Sequence, residues 1–256
     1  MKGDLFKNIV QWNMQDSKGF KGKLPVFYYD NTSMTAIFTA STKKAMKYLP
    51  HQDMHPVELF PGRCLVGFSA FEYRKTDIAP YNEFSISILI SFAGRPVPGI
   101  TILSNMGRRC FHAYVWHLPV TTEAARYGGV ELYGYPKFIA DIVFKREKDY
   151  LECSLSEKGS RILTLRGRKQ STSPGRILRF KTYSMKDGIP LCANIYTNPL
   201  EFRQTMDKDA AGLELGSGHA IAEELNGIGL SKKPIVFQYI PLNEMVLFGP
   251  RNLIDD

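Results

Sequence analysis

A single lysine stands out in the segment GGVELYGYPKFIADIVF, residues 128–144. Lys137 is the only basic side chain of the segment and lies among Tyr133, Tyr135 and Phe138. The proline just before it has a fixed backbone φ angle, which gives the lysine side chain a defined direction. Apolar surroundings disfavour the charged form of an amine, and a neutral amine can attack a ketone. The product is a protonated imine, which accepts electrons when a bond β to the original carbonyl breaks.

The same residues resemble the signature of a known family. GVELYGYPK, residues 129–137, is similar to the G-R-E-x-x-x-Y-P-K motif of the acetoacetate decarboxylase family, in which the lysine after proline is the Schiff-base nucleophile. Residues 38–50 resemble an early A-L-x-x-x-x-P element of that family, and Pro80-Tyr81-Asn82-Glu83 resembles the segment that carries a catalytic glutamate. The likeness covers residues 25–248 and is strongest over 128–141.

The resemblance implies a role for each matching residue. Lys137 is the expected nucleophile, and Glu83 is the expected acid or base near the imine. Glu131 stands at the motif's carboxylate position and is expected to support the site or face the substrate. Three aromatic residues are expected to line the substrate site: Tyr81, Tyr135 and Phe138. The implied activity is that of a carbon–carbon lyase, a carboxy-lyase that decarboxylates a small β-keto acid.

Two departures from the family pattern concern positive charge. The decarboxylases carry a second lysine directly after the nucleophile, where this chain has Phe138, so desolvation has to act in place of a neighbouring charge. The arginine before the motif's glutamate is Val130, and the family's arginine near the first strand aligns with Asp30 or Asn31. Candidates to bind a substrate carboxylate instead are Arg74, Arg126 and a basic cluster described below. The same imine is also compatible with an aldol or dehydration reaction on another oxo-acid.

Plainer interpretations of these residues stay open. Lysines are almost never fully buried, so Lys137 could be an ordinary solvated group. Glu83 could be a solvated residue that opens a strand, and Glu131 could pair with a surface lysine in a contact worth about 0–1 kcal/mol. The tyrosines could be core aromatics. A barrel that binds an apolar or aromatic ligand without chemistry is therefore the second function class.

The positive charge of the chain is local. The 33 basic and 25 acidic residues give a net charge of +8, and the stretch from Arg161 to Lys181 contains seven basic residues and no acidic one. Apolar and polar residues alternate over 163–168, which predicts a strand with Arg166 and Arg168 on one face. A solvated strand face is the simplest interpretation, and a positive rim that attracts an anionic substrate is the sharper one. Nucleic-acid binding ranks third because no recognition motif accompanies the cluster.

Motif searches exclude several other kinds of site. His51 and His55 have the spacing of metal ligands but lack a third ligand, and no phosphate-binding loop or dinucleotide fingerprint occurs. Neither a metal nor a cofactor is therefore predicted. The four cysteines are 39 to 46 residues apart and are expected to be buried free thiols. Without a signal peptide or an apolar membrane segment, the protein is expected to be cytoplasmic, with no membrane or nucleic-acid partner, and by analogy with the family a homo-oligomer.

Short segments of alternating polarity predict a β-rich α+β fold. Ten strands are expected, over residues 64–72, 84–92, 110–117, 138–145, 149–156, 160–167, 176–183, 189–196, 234–240 and 244–248. Three helices are expected: Lys43 to Tyr48, Glu123 to Tyr127 ended by Gly128-Gly129, and Ala220 to Asn226. Because helices are too few for a βαβ array, a mostly antiparallel β-barrel with peripheral helices is predicted. It forms one domain over residues 25–256, preceded by a peripheral arm over 1–24.

Overall fold

A computed structural model describes residues 5–15, 19 and 21–254. The strands are β1 (Trp12–Gln15), β2 (Lys21–Leu24), β3 (Val26–Ser41), β4 (Met54–Pro56), β5 (Glu58–Phe60), β6 (Arg63–Thr76), β7 (Tyr81–Phe92), β8 (Cys110–His117), β9 (Asp141–Arg146), β10 (Tyr150–Glu157), β11 (Ser160–Arg168), β12 (Leu178–Lys186), β13 (Ile189–Thr205), β14 (Ala211–Leu215), β15 (Val236–Leu247) and β16 (Arg251–Asn252). The helices are α1 (Thr42–Ala45), continued by a 3-10 turn (Met46–Tyr48), α2 (Ile100–Arg108), α3 (Glu123–Tyr133) and α4 (Ala220–Gly227).

Seven strands close into a barrel. Their order is β6, β7, β8, β12, β13, β15 and β3, and β3 pairs with β6 to complete the ring. Neighbours are antiparallel except for β8 and β12, which run parallel. Closure pairs both edges of every barrel strand, which removes exposed edges. The predicted β-rich fold, a mostly antiparallel barrel with few helices, is therefore confirmed.

The main core lies outside the barrel wall. A second sheet with the strand order β14, β11, β10 and β9 covers the outer face of β3, β6 and β7. Phe38, Phe68 and Ile86 from the barrel pack in one fully buried cluster with Leu155 and Ile162 from the second sheet. This arrangement leaves the other face of the barrel strands free to line an interior cavity.

Strand β7 shows how the two faces of the barrel wall differ. Glu83, Ser85 and Ser87 line the barrel interior. The alternate side chains, Phe84, Ile86 and Ile88, belong to the core between the barrel and the second sheet. Polar faces of antiparallel strands usually meet solvent. The polar face of β7 instead lines the cavity, so its polar side chains lie where a ligand would bind.

Several elements differ from the predicted ones. The segments 234–240 and 244–248 form one continuous strand, β15. Strand β3 was not predicted, because it is buried over much of both faces and lacks a simple alternation. Helix α3 continues through Gly128-Gly129 to Tyr133, and Gly134, with a φ of 61°, is its C-terminal cap. The expectation that Gly128-Gly129 ends this helix is therefore wrong.

The arginine side chains of β11 lie on the solvent face of the second sheet. Leu163 and Leu165 of β11 are buried and Arg166 is exposed, as the alternation predicts. Three arginines of the strand pair with acidic neighbours: Arg161 with Glu214 at 3.6 Å, Arg166 with Glu147 at 2.9 Å and Arg168 with Asp207 at 3.5 Å. Arg161, Arg166 and Arg168 thus form an ion-paired surface on the sheet that covers the barrel from outside, whereas Arg179 and Lys181 of the cluster lie on the barrel strand β12.

Other sequence expectations concern cysteines, membranes and the N-terminus. All four cysteines are buried and free, as predicted. The described part of the chain has no helix with the length and apolar character needed to cross a lipid bilayer. Strands β1 and β2 form an antiparallel hairpin, while residues 1–4, 16–18 and 20 of the predicted arm lie outside the described residues. The division into an arm and one domain stays a prediction.

A histidine of the barrel wall should make stability depend on pH. Burial, together with the charges of Lys181 and Arg179, lowers the pKa of His112 to about 4. In the unfolded chain this pKa is about 6.5. The unfolded state therefore binds the proton first, and the free energy of unfolding should decrease as the pH falls from about 6.5 to about 4. Urea denaturation across this range should show a smaller slope for His112→Gln than for the parent chain. An unchanged slope would contradict the assignment.

Candidate active site

The loop after α3 determines where Lys137 lies. Gly134 turns the chain, and the residues that follow run beside 118–120, with Leu118 N donating to Pro136 O at 3.3 Å and Val120 N to Phe138 O at 2.9 Å. Successive side chains of an extended segment point to opposite sides. Lys137 therefore enters the end of the barrel, whereas Phe138 packs against the main core.

A glycine of α3 makes room for the lysine. A Cβ atom on Gly129 would lie 2.4 Å from Cδ and 2.5 Å from Cε of Lys137. The hydrogen bond from Tyr135 N to Gly129 O, at 3.1 Å, holds the loop against the helix at this point. The lysine side chain thus crosses the helix surface where no side chain is present, which explains why a glycine is useful in mid-helix despite its low helix propensity.

Lys137 and Glu83 form a buried ion pair. The distance from Lys137 Nζ to Glu83 Oε2 is 2.7 Å, and the two side chains are only 6% and 9% exposed. Burial opposes both charges, while each charge stabilises the other. Transfer of the proton from the ammonium to the carboxylate leaves two neutral groups, so the pair can yield a neutral amine without exposing either group to water. The arrangement places an amine and a group able to accept its proton in direct contact.

Four tyrosines surround the pair. Tyr73 OH donates to Glu83 Oε1 at 3.2 Å, and the ring centroid of Tyr81 lies 5.7 Å from Lys137 Nζ. Tyr28 OH and Tyr81 OH are 3.3 Å apart, and Tyr135 OH is 2.6 Å from Thr182 Oγ1. Burial, followed by the negative charge of Glu83, raises the pKa of Tyr28, Tyr73 and Tyr81 well above the usual value. These phenols are therefore neutral and able to donate hydrogen bonds.

Cavities lie on both sides of the amine. The barrel interior contains one of about 190 Å³, and among its described lining residues only Lys137 and Glu83 carry charge. A second pocket of about 110 Å³ lies under strand β2 and is lined by Lys21 and Lys23. Lys137 and Tyr135 line both cavities. A carbonyl compound bound at the amine can therefore extend into the barrel or towards the hairpin.

Not all of the predicted residues come together, because Phe138, expected to line the substrate site, faces the main core and is absent from the described lining of both cavities. Lys137, Glu83, Tyr81 and Tyr135 meet at the end of the barrel. Glu131 lies on α3, outside the described lining of both cavities, and its backbone oxygen accepts a hydrogen bond from Lys186 Nζ.

The arginines considered for carboxylate binding are also elsewhere. Arg74 Nε donates to Asp30 at 3.0 Å, and Arg126 Nε donates to Glu123 at 2.6 Å. Neither arginine lies among the described lining residues of the two cavities. The second pocket is lined by Lys21 and Lys23 of the hairpin, which sequence patterns did not indicate, and also by the acidic Asp77.

The sequence profile of the family described as acetoacetate decarboxylase (ADC) matches residues 15–189. The chain belongs to the acetoacetate decarboxylase family. A solved structure of an acetoacetate decarboxylase has a TM-score of 0.62 and 17% identity, covering 90% of this chain and 89% of that chain. For acetoacetate decarboxylase from Legionella pneumophila subsp. pneumophila str. Philadelphia 1 the TM-score is 0.62 at 14% identity, with 90% and 88% covered.

A third solved structure of similar fold is a biosynthetic enzyme. The enduracididine biosynthesis enzyme MppR, complexed with the condensation product of pyruvate and imidazole 4-carboxaldehyde, has a TM-score of 0.58 at 12% identity, with 90% of this chain and 89% of that chain covered. A search of curated proteins gave no match. At these identities the likeness to solved structures shows the fold, and the family assignment depends on the sequence profile.

Proposed function

We propose that this member of the acetoacetate decarboxylase family is a Schiff-base-forming lyase in which Lys137 is the nucleophile and Glu83 carries protons. The substrate is a small keto acid, and the first reaction to expect is decarboxylation of a β-keto acid. The observation that carries the proposal is the buried pair of Lys137 and Glu83, 2.7 Å apart at the end of a cavity. An amine held in an apolar site beside a proton acceptor is the usual arrangement for imine formation.

The proposed reaction starts with proton transfer within the pair. Lys137 passes its proton to Glu83, and the neutral amine adds to the substrate ketone. Glu83 returns the proton to the carbinolamine oxygen, which leaves as water and gives the iminium. Loss of carbon dioxide sends the bonding electrons into the iminium and forms an enamine. Glu83, reprotonated from solvent, protonates the enamine carbon, and hydrolysis then releases the ketone and the amine.

An aldol or dehydration reaction through the same imine is the second candidate. The barrel cavity has no charged lining residue besides Lys137 and Glu83 in the described part of the chain, so it offers no second cation for a carboxylate. The enamine can attack an aldehyde instead of a proton, and the iminium can promote loss of water from a hydroxylated carbon. MppR, a protein of similar fold, has been solved in complex with the condensation product of pyruvate and an aldehyde. That complex supports the aldol alternative for this chain.

Reductive trapping tests the proposal. Borohydride added with acetoacetate, pyruvate or a simple ketone should fix one adduct on the peptide that contains Lys137, as measured by mass spectrometry. Borohydride alone should leave the mass unchanged, and Lys145→Met, at a lysine exposed on β9, should label like the parent chain. Release of carbon dioxide from acetoacetate would identify the decarboxylase. If no ketone or keto acid gives an adduct, the proposal is wrong and a binding barrel without chemistry is favoured.

The assembly proposed for the protein is a homo-oligomer, an expectation from the family. Sedimentation of the full chain measures it directly.

A further inference from the structure

One wall of the barrel cavity carries a band of hydroxyl groups. Strands β3, β6 and β7 contribute five of them to the cavity lining: Ser33, Thr35, Ser69, Ser85 and Ser87. The facing wall, from β8, β12, β13 and β15, is mainly apolar, with Ala113, Val115, Phe180, Ile195 and Ile240. Its polar members are paired with neighbours, as Thr197 Oγ1 donates to Asn243 Oδ1 at 2.7 Å and Thr182 Oγ1 lies 2.6 Å from Tyr135 OH.

Strand register places the hydroxyl band deeper in the barrel than Glu83. Thr35 lies opposite Ser69, and Ser69 lies opposite Ser85, so these three residues form one row across three strands. Glu83 belongs to the preceding row, opposite Phe71. Two residues along a strand advance about 7 Å. The row therefore lies about 7 Å further along the strand than Glu83, whose carboxylate touches Lys137.

The band keeps hydrogen-bonding capacity that faces the cavity. Thr35 Oγ1 and Ser69 Oγ are 2.8 Å apart, as are Ser85 Oγ and Ser87 Oγ. Each hydroxyl has one donor and two acceptor positions, and each pair uses one donor and one acceptor. Every pair thus retains one donor and three acceptor positions. Because acceptors are in excess, the band matches a ligand group that donates, such as a hydroxyl.

From this geometry we propose, on the basis of the proposed imine chemistry, that the preferred keto-acid substrate is longer than four carbons and carries a hydroxylated chain. Its carbonyl reacts at Lys137, and its chain runs along the barrel with a hydroxyl that reaches the next row, about 7 Å further along the strand than Glu83. That hydroxyl donates to the row of Thr35, Ser69 and Ser85, and the hydrocarbon part of the chain packs against the apolar wall. A four-carbon acid spans only the first of these rows and leaves the band without a partner.

Two isosteric ketones test this substrate class. Extended 7-hydroxyheptan-2-one reaches the band with its hydroxyl, whereas octan-2-one places a methyl group there. The concentration that half-saturates borohydride labelling of Lys137 should be about tenfold lower for the hydroxyketone. Ser69→Ala with Ser85→Ala should abolish this preference, while Ser91→Ala, on the same strand β7 but outside the cavity lining, should retain it. Equal half-saturation by the two ketones in the parent chain would overturn the inference.

Failure of the imine chemistry and failure of this inference are distinguishable. If both ketones label Lys137 equally, the Schiff-base proposal holds and the hydroxylated substrate does not. If neither compound labels Lys137, the Schiff-base proposal fails. The affinities of the two ketones, measured by calorimetry, then test whether the band binds a hydroxyl group. Tighter binding of the hydroxyketone that is lost in Ser69→Ala with Ser85→Ala then supports the band as a ligand site, and equal binding overturns it.

Discussion

Replacing Lys137 by methionine should abolish borohydride-trapped adducts with every carbonyl compound and reduce turnover to the background rate. The substitution keeps a long unbranched side chain in the channel beside Gly129 but removes the amine. It also leaves the carboxylate of Glu83 buried without its partner, and such a change typically costs about 3–5 kcal/mol of unfolding free energy. Urea denaturation and mass spectrometry on the same sample measure both effects.

The double variant Lys137→Met with Glu83→Gln separates chemistry from stability. An amide has no charge to leave unpaired, and it can still accept the hydrogen bond from Tyr73 OH. The unfolding free energy of the double variant should therefore be close to that of the parent chain, while labelling and turnover stay at background. Glu83→Gln alone should still form the adduct but slow turnover about 10²- to 10⁴-fold, the range for loss of a positioned acid or base. Full activity of Glu83→Gln would contradict its role in proton transfer.

The fold was predictable where polarity alternates and less so where it does not. The alternation in β7 and β11 predicts strands, and both form. Alternation does not say which face meets solvent, because that depends on ring closure and on the second sheet covering the barrel. Helix α2 was missed although its apolar residues Ile100, Leu103 and Met106 recur at helical spacing, and in the structure these side chains are exposed.

The site was predictable only for residues in a local motif. Lys137 and Glu83 were indicated by segments that resemble the family, although 54 residues separate them. Tyr28 and Tyr73 come from strands that the motif does not include, and they reach the pair only through the pairing of β3 with β6 and of β6 with β7. Register between distant strands is set by packing and closure of the whole barrel. Alternate positions counted from Glu83 would have identified Ser85 and Ser87 once the inward face was known.

Gly129→Ala should lower the labelling rate and turnover about 100-fold, because a displacement of about 1 Å at a reacting group has an effect of this size. The added methyl group would overlap Cδ and Cε of Lys137, at 2.4 and 2.5 Å. The lysine has rotatable bonds, so its ammonium can shift by about 1 Å without breaking the ion pair with Glu83. The amine is then misplaced for attack while the barrel remains folded.

The unfolding free energy should fall less than for Lys137→Met, because the ion pair with Glu83 persists and no buried charge loses its partner. Alanine is also favoured over glycine in a helix by about 1 kcal/mol, which offsets part of the cost of moving the lysine. Gly107→Ala in α2 is the matched control, since a Cβ atom there meets nothing within 4 Å. It should retain full labelling and turnover with equal or higher stability. Normal labelling kinetics in Gly129→Ala would show that the path of Lys137 past α3 does not position the amine for reaction.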